Sequence, residues 1–172
     1  MISQALDRAE SLIATIPDFP EPGILFRDIS PLLADADALR TVADALVEPF
    51  AGTFDVVAGV EARGFLLAGA TAIAAGVGMV PIRKAGKLPR PAASVSYALE
   101  YGEAAIEMAA DLPPGSRVLL LDDVLATGGT LRAAKELLTT LGYEVAGTAV
   151  LMELEHLGGR AVCGDVHALF KV

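Results

Sequence analysis

Short apolar runs alternate with stretches of helical spacing along most of this chain, and that alternation leaves few folds open. FDVVAGV (54–60), GMVPIRK (78–84), RVLLLDDV (117–124) and EVAGTAVLMEL (144–154) have the length of strands. Near-continuous hydrophobicity marks strands buried on both faces, the habit of a parallel sheet covered by helices. Helices predicted over 39–50, 64–75 and 129–141 supply that cover, the last closed by Gly142. The N-terminal MISQALDRAESLIATI reads as an amphipathic helix. After Lys84 the rhythm changes. AGKLPRPAA (85–93), with two prolines and two cations, reads as a mobile loop, and SVSYALEY and EAAIEMAA alternate about Gly102 as a hairpin does. Pro113-Pro114-Gly115 is a turn. With 172 residues and no linker, repeat or low-complexity tract, a single domain over 1–172 is expected.

Charge and composition narrow the partners. A net charge of −9 argues against broad electrostatic binding to nucleic acid or to an anionic membrane. Any anionic ligand must be held by a local gathering of cations. A hydrophobic content of 53% with mean hydropathy +0.54 is high for a soluble monomer, so a homodimer is expected. The uncharged run 65–82 is long enough to consider as a membrane span, but Gly69, Gly76, Gly78 and Pro81 break it into a helix end and a strand. No signal peptide is read, and the expected location is cytoplasmic. The lone Cys163 excludes an internal disulfide and reads as a small buried hydrophobe. His156 and His167 have no metal-ligand spacing, and Glu153 and Leu154, at a strand end, receive no role.

The chemistry concentrates where RVLLLDDV ends. Ligands of an open parallel sheet bind beyond the carboxyl ends of its strands, and Asp122 and Asp123 stand at such an end. ATGGT follows and opens a helix, whose free N–H groups and positive dipole end favour an anion. Acceptors for hydroxyls thus lie beside donors for a phosphate, as a sugar phosphate requires. A P-loop nucleotide hydrolase would also carry an aspartate on such a strand, but it needs G-x-x-x-x-G-K-[ST]. The nearest candidate, AGKLP, has Leu88 after the lysine and Pro81 in place of the first glycine. A purely structural role, with the aspartates capping a helix, leaves their pairing unexplained.

VLLLDDVLATGGT resembles the phosphoribosyl-pyrophosphate (PRPP) signature of the type I phosphoribosyltransferases. FPEPGILFRDISPLL (19–33), EARGF (61–65), RKAGKLP (83–89) and YALEYG (97–102) are similar, in order and separation, to segments of the adenine-using members of that family. The resemblance implies an α/β parallel-sheet type I phosphoribosyltransferase fold with a small N-terminal hood segment and a flexible hairpin loop. It implies a reaction of adenine with PRPP to give AMP and pyrophosphate, with Mg2+ carried by the substrate and no dedicated protein ligand. Asp122 and Asp123 would hold the ribose hydroxyls, and Ala126, Thr127, Gly128, Gly129 and Thr130 would cradle the 5-phosphate. Arg63, Arg83, Lys84 and Lys87 would take the pyrophosphate, the arginines as forks and the lysines as mobile charges.

Leu25 and Phe26 would face a flat purine, with Arg27 and nearby backbone reading its edge. The bland alternatives are Phe26 as a plain core residue and Arg27 as an ion-pair partner of Asp28. Glu100 would exchange the proton of the purine N7, carried inward with Tyr101 on the hairpin; otherwise it is the exposed residue of an alternating strand. A cis peptide is expected at Glu61–Ala62, where Ala62 replaces the serine common in the family. Two rivals stay open: a regulatory PRPP-binding protein without chemistry, which needs no base at Glu100, and an enzyme for a 6-oxopurine.

Overall fold

The computed structural model describes residues 2–99 and 102–172. An N-terminal helix α1 (Ile2–Ser11) leads to a separate antiparallel pair, β1 (Ala14–Pro17) and β2 (Leu25–Asp28). Helices α2 (Ser30–Ala34) and α3 (Ala36–Val47) follow, then β3 (Val56–Val60), α4 (Arg63–Ala75) and β4 (Gly78–Lys84). The hairpin strands β5 (Ala93–Leu99) and β6 (Gly102–Met108) precede β7 (Arg117–Leu125), α5 (Gly129–Thr140) and β8 (Glu144–Glu153). The short helix α6 (Arg160–Cys163) and the edge strand β9 (His167–Lys171) complete the chain. The main sheet has seven strands in the order β5-β6-β4-β3-β7-β8-β9. From β4 to β9 neighbouring strands run parallel, while β6 is antiparallel to both β4 and β5.

Alternation along β7 builds the two halves of the core. Val118 and Leu120 pack towards Leu131, Ala134, Leu137 and Leu138 of α5. Leu119 and Leu121 pack on the other face with Val42 and Leu46 of α3 and Leu67 of α4. All four β7 side chains are fully buried, so this strand has no solvated face, and its apolar run follows from that.

Helix ends explain where observed and expected elements differ. The helix expected over 39–50 starts earlier because the Asp35 side chain accepts the Ala38 N–H at 2.9 Å as its N-cap. It stops at Val47, and Glu48–Phe50 tightens into a 3₁₀ turn containing Pro49. The uncharged run 65–82 splits at Gly76, whose φ of 69° ends α4 with its N–H on the Ala72 and Ile73 carbonyls. Among the described residues no helix is long and apolar enough to cross a membrane. The N-terminal helix stops at Ser11, and Ala14–Pro17 is strand instead. The β1–β2 pair, α2, α6 and β9 are additions to the elements expected.

Glycines set how closely α4 lies on the sheet. A Cβ on Gly59 of β3 would stand 2.6 Å from the Ala68 Cβ and 2.9 Å from the Gly64 carbonyl oxygen. One on Gly64 would stand 2.9 Å from Asp122 Oδ1 and 3.2 Å from the Leu121 carbonyl oxygen. Without those side chains the first turn of α4 reaches the carboxyl end of β7, and Arg63 comes with it.

Candidate active site

Three cavities adjoin at the carboxyl ends of β3, β4 and β7. A central cleft of about 380 Å³ is lined by Glu61, Arg63, Lys84, Tyr97, Asp122, Asp123 and Thr130 among others. A pocket of about 120 Å³ lies against Asp122, Ala126, Thr127, Gly128, Gly129 and Thr130. A third, of about 160 Å³, is lined by Leu25, Phe26, Arg27, Arg63 and Asp123 together with Met152 and Leu154. A larger hollow of about 550 Å³, beside Asp55 and Pro114, lies where the strands begin. That end of a parallel sheet is not where ligands bind.

Period-two alternation explains why the acids are adjacent. Successive side chains of a strand diverge, so Asp122 lines the cleft and the turn pocket while Asp123 lines the cleft and the apolar pocket. Both carboxylates are buried, with Asp122 Oδ1 accepting the Asp123 N–H at 2.8 Å. Burial, and next the charge of Asp123, push the Asp122 carboxyl well above the usual range. Asp123 is matched by Arg63, whose Nε lies 2.6 Å from Oδ2. The same guanidinium stands over the Phe26 ring, 5.1 Å from its centroid.

The turn at 126–130 is built against a second loop. Gly128, at φ 84°, is the cap residue just before α5, and a Cβ there would run into the Gly159 carbonyl oxygen and lie 3.1 Å from the Val162 Cβ. A Cβ on Gly159 would in turn strike the Ala126 carbonyl oxygen and lie 2.6 Å from Leu125 Cδ1. Arg160 anchors this backing loop: Nε and Nη2 meet Glu153 Oε1 and Oε2 at 2.8 and 2.7 Å, and Nη1 reaches the Val166 carbonyl at 2.6 Å. The Arg160 hydrogen bond holds the Glu153 carboxyl below its usual range. Glu153 is therefore an ion-pair partner beneath the turn, and Leu154 is a wall of the apolar pocket. The first N–H groups of α5 point out of the turn without helical partners, as at any helix start.

The cations divide into two sets. Arg63 and Lys84 line the cleft, whereas Arg83 and Lys87 are paired with Glu61. Lys87 Nζ lies 2.8 Å from Glu61 Oε1, and Oε2 accepts the Lys84 N–H at 2.9 Å and faces Arg83 Nε at 3.4 Å. Lys87 above all holds the Glu61 carboxyl down at about 2. The segment 85–92 is irregular, but its start is tied: Glu107 Oε1 accepts the N–H groups of Lys87 and Leu88 at 3.0 and 2.8 Å. The Glu61–Ala62 peptide is cis.

In the apolar pocket Phe26 meets Phe19 edge to face, with centroids 5.1 Å apart, and Leu25 is 59% exposed. The alternative pairing of Arg27 with Asp28 is not made. Arg27 Nη1 donates to Thr15 Oγ1 across the β1–β2 pair at 2.6 Å, and the Asp28 carboxylate accepts the Ser30 N–H and hydroxyl. Glu100 and Tyr101 lie outside the described residues. Sequence reasoning missed Glu61, Tyr97, Glu107, Met152 and Gly159. EARGF and YALEYG marked the places of Glu61 and Tyr97 without their surroundings, while the others look like ordinary alternation or a loop glycine until distant segments meet.

Comparison with known proteins accords with this geometry. A family model described as phosphoribosyl transferase domain matches residues 29–162. The adenine phosphoribosyltransferase of Clavibacter sepedonicus is 61% identical over 173 residues, covering 99% of this chain and 90% of that one. The crystal structure of the Rhodothermus marinus adenine phosphoribosyltransferase superposes with a TM-score of 0.91 at 46% identity, covering 99% of both chains. That of the Saccharomyces cerevisiae enzyme, complexed with an imino-altritol bisphosphate and adenine, has a TM-score of 0.91 at 36% identity, covering 97% of this chain and 99% of that one. The chain belongs to the phosphoribosyltransferase family, type I. Its activity is that of the adenine branch, a pentosyltransferase reaction of purine salvage in which adenine and PRPP give AMP and pyrophosphate.

Proposed function

We propose that the three cavities divide the substrates of this reaction among them. The turn pocket takes the 5-phosphate on the N–H groups and hydroxyls of 126–130. Asp122 and Asp123 accept the ribose hydroxyls, and the apolar pocket takes adenine against Leu25 and Phe26, with Arg27 at its edge. Arg63, Arg83, Lys84 and Lys87 receive the diphosphate. The observation that carries this reading is the divided position of the acid pair, one residue shared with each flanking pocket. The Saccharomyces cerevisiae enzyme, which has the same fold and is complexed with both adenine and a bisphosphate, supports it.

In this arrangement the purine displaces diphosphate at C1 through an oxocarbenium-like transition state, by analogy with glycosyl transfer. The buried acids orient the ring and favour positive charge on it. Glu100 accepts the N7 proton, with Tyr101 next to it in the sequence. PRPP is taken as its magnesium complex, the metal held by the substrate's own oxygens and neutralising diphosphate charge. A cationic diphosphate site and an acid pair set to meet hydroxyls fit a metal carried that way.

The protein acts as one domain over 1–172 and as a homodimer in the cytoplasm. Leu66 and Ile73, 55% and 84% exposed on α4, support association. The test is product formation from PRPP and magnesium with adenine, hypoxanthine, guanine and xanthine separately, with sedimentation of the same sample. Adenine alone is expected to react, in a particle of twice the chain mass. Equal turnover of a 6-oxopurine would reject the base-pocket assignment.

A further inference from the structure

The cluster at the end of β4 holds a carboxylate that the reaction does not call for. Glu61 lines the cleft intended for a polyanion, with a side chain only 8% exposed. An acid there repels diphosphate, yet its two oxygens collect Lys87 Nζ, Arg83 Nε and the Lys84 N–H. The first two are side chains assigned to the pyrophosphate, and the third is the backbone of a residue whose side chain is. The backbone of Lys87 does not depend on Glu61, because Glu107 Oε1 accepts the Lys87 and Leu88 N–H groups independently. Only the Lys87 side chain, 50% exposed, has to move to change partner.

We infer that Glu61 is a resting counterion for the diphosphate site: it holds Lys87 and Arg83 while the cleft is empty and yields them when diphosphate arrives. This rests on the assignment of Lys87 to diphosphate. Cations brought together without an anion repel one another, and Glu61 relieves that repulsion at the cost of competing with the ligand. The competition weakens diphosphate binding at both ends of the reaction and favours departure of the product. Glu61 is thus a positioning residue acting through Lys87, not a group that touches the reacting carbon.

The test is calorimetric titration of magnesium pyrophosphate into wild type, Glu61→Gln, Lys87→Ala and the double variant, with circular dichroism and melting curves as checks on folding. The amide of Glu61→Gln still accepts the Lys84 N–H but carries no charge. The lysine end of the pair is half exposed, which keeps its coupling to Glu61 modest, so Glu61→Gln should bind pyrophosphate roughly twofold to tenfold more tightly. The gain should shrink when Lys87 is already alanine, the mark of two residues acting together. The KM for PRPP should fall with it. Unchanged or weaker binding by a folded Glu61→Gln, with Lys87→Ala weakened, would overturn the counterion role alone. If Lys87→Ala binds as well as wild type, the assignment of Lys87 to the diphosphate is itself wrong, and the inference falls with it.

Discussion

Two glycines of α4 allow the packing of Arg63 to be tested with one chemical change. At Gly64 an added Cβ lies 2.9 Å from Asp122 Oδ1 and 3.2 Å from the Leu121 carbonyl oxygen, while at Gly69 nothing lies within 4 Å. The Leu121 atom is backbone in the central strand and cannot rotate away, so Gly64→Ala must lift the first turn of α4 by a few tenths of an ångström. Overpacking of this kind costs about 1–3 kcal/mol, against about 1 kcal/mol gained from the better helix propensity of alanine. The net loss is roughly 0–2 kcal/mol, a fall in Tm of up to about 8 °C for a chain of this size. Gly69→Ala has the gain without a clash inside the chain and should raise the Tm of the single chain by about 2–4 °C. Arg63 rides on the displaced turn. Since a misplacement of about 1 Å costs on the order of a hundredfold, kcat/KM of Gly64→Ala should drop about tenfold, with Gly69→Ala unaffected. Melting curves and AMP formation from adenine and PRPP provide both readings. Equal Tm and equal kcat/KM for the two variants would refute the claim that α4 is placed by its contact with β7.

Four further outcomes are expected. Replacing Asp122 and Asp123 together with asparagine should abolish most turnover while leaving circular dichroism unchanged, and full activity would end their role at the ribose. The single Asp122→Asn should melt higher than wild type at neutral pH, because a carboxyl raised by burial costs stability as pH climbs past its unfolded value. Glu100→Gln should lower kcat by about 10²–10⁴ with little change in PRPP affinity, whereas Glu103→Gln, exposed and paired with Ala98 in the hairpin, should be silent; a normal kcat would remove the proton-transfer role. In acid, Glu61, Asp35 and Asp55, each held at about 2 chiefly by Lys87, Arg8 and Arg117, stabilise the fold above their unfolded values of 4.5, 3.8 and 3.8. That stability is lost as pH falls towards 2, so Tm should decline across that window and less steeply in Glu61→Gln.

The inner strands and the helices between them were legible because burial on both faces writes itself as an unbroken apolar run, as in Val118–Leu121. The acid pair and its turn were legible because they sit within one short segment. What escaped depends on meetings between distant segments. Nothing near Gly159 announces that its missing side chain makes room for the Ala126 carbonyl, and nothing near Glu153 names Arg160 as its partner. β9 is a short edge strand with mixed exposure, and β1 pairs through residues that are mostly exposed, so neither carries a clear pattern. Glu61 lay beside a residue already singled out, but its partners come from a strand end and a loop more than twenty positions on.

Arg63 touches both the Phe26 ring and Asp123, so the proposed seats of the base and the sugar share one wall. Anyone redesigning this protein for a bulkier nucleobase would therefore find that changes at Phe26 are also felt by the phosphorylated sugar, and selectivity for one substrate would be bought with affinity for the other. Met152 and Leu154 line the apolar pocket from β8 and the residue just beyond it, and neither borders the central cleft. Enlarging the pocket from that side is the route by which the choice of base could be changed while the grip on the sugar is left alone.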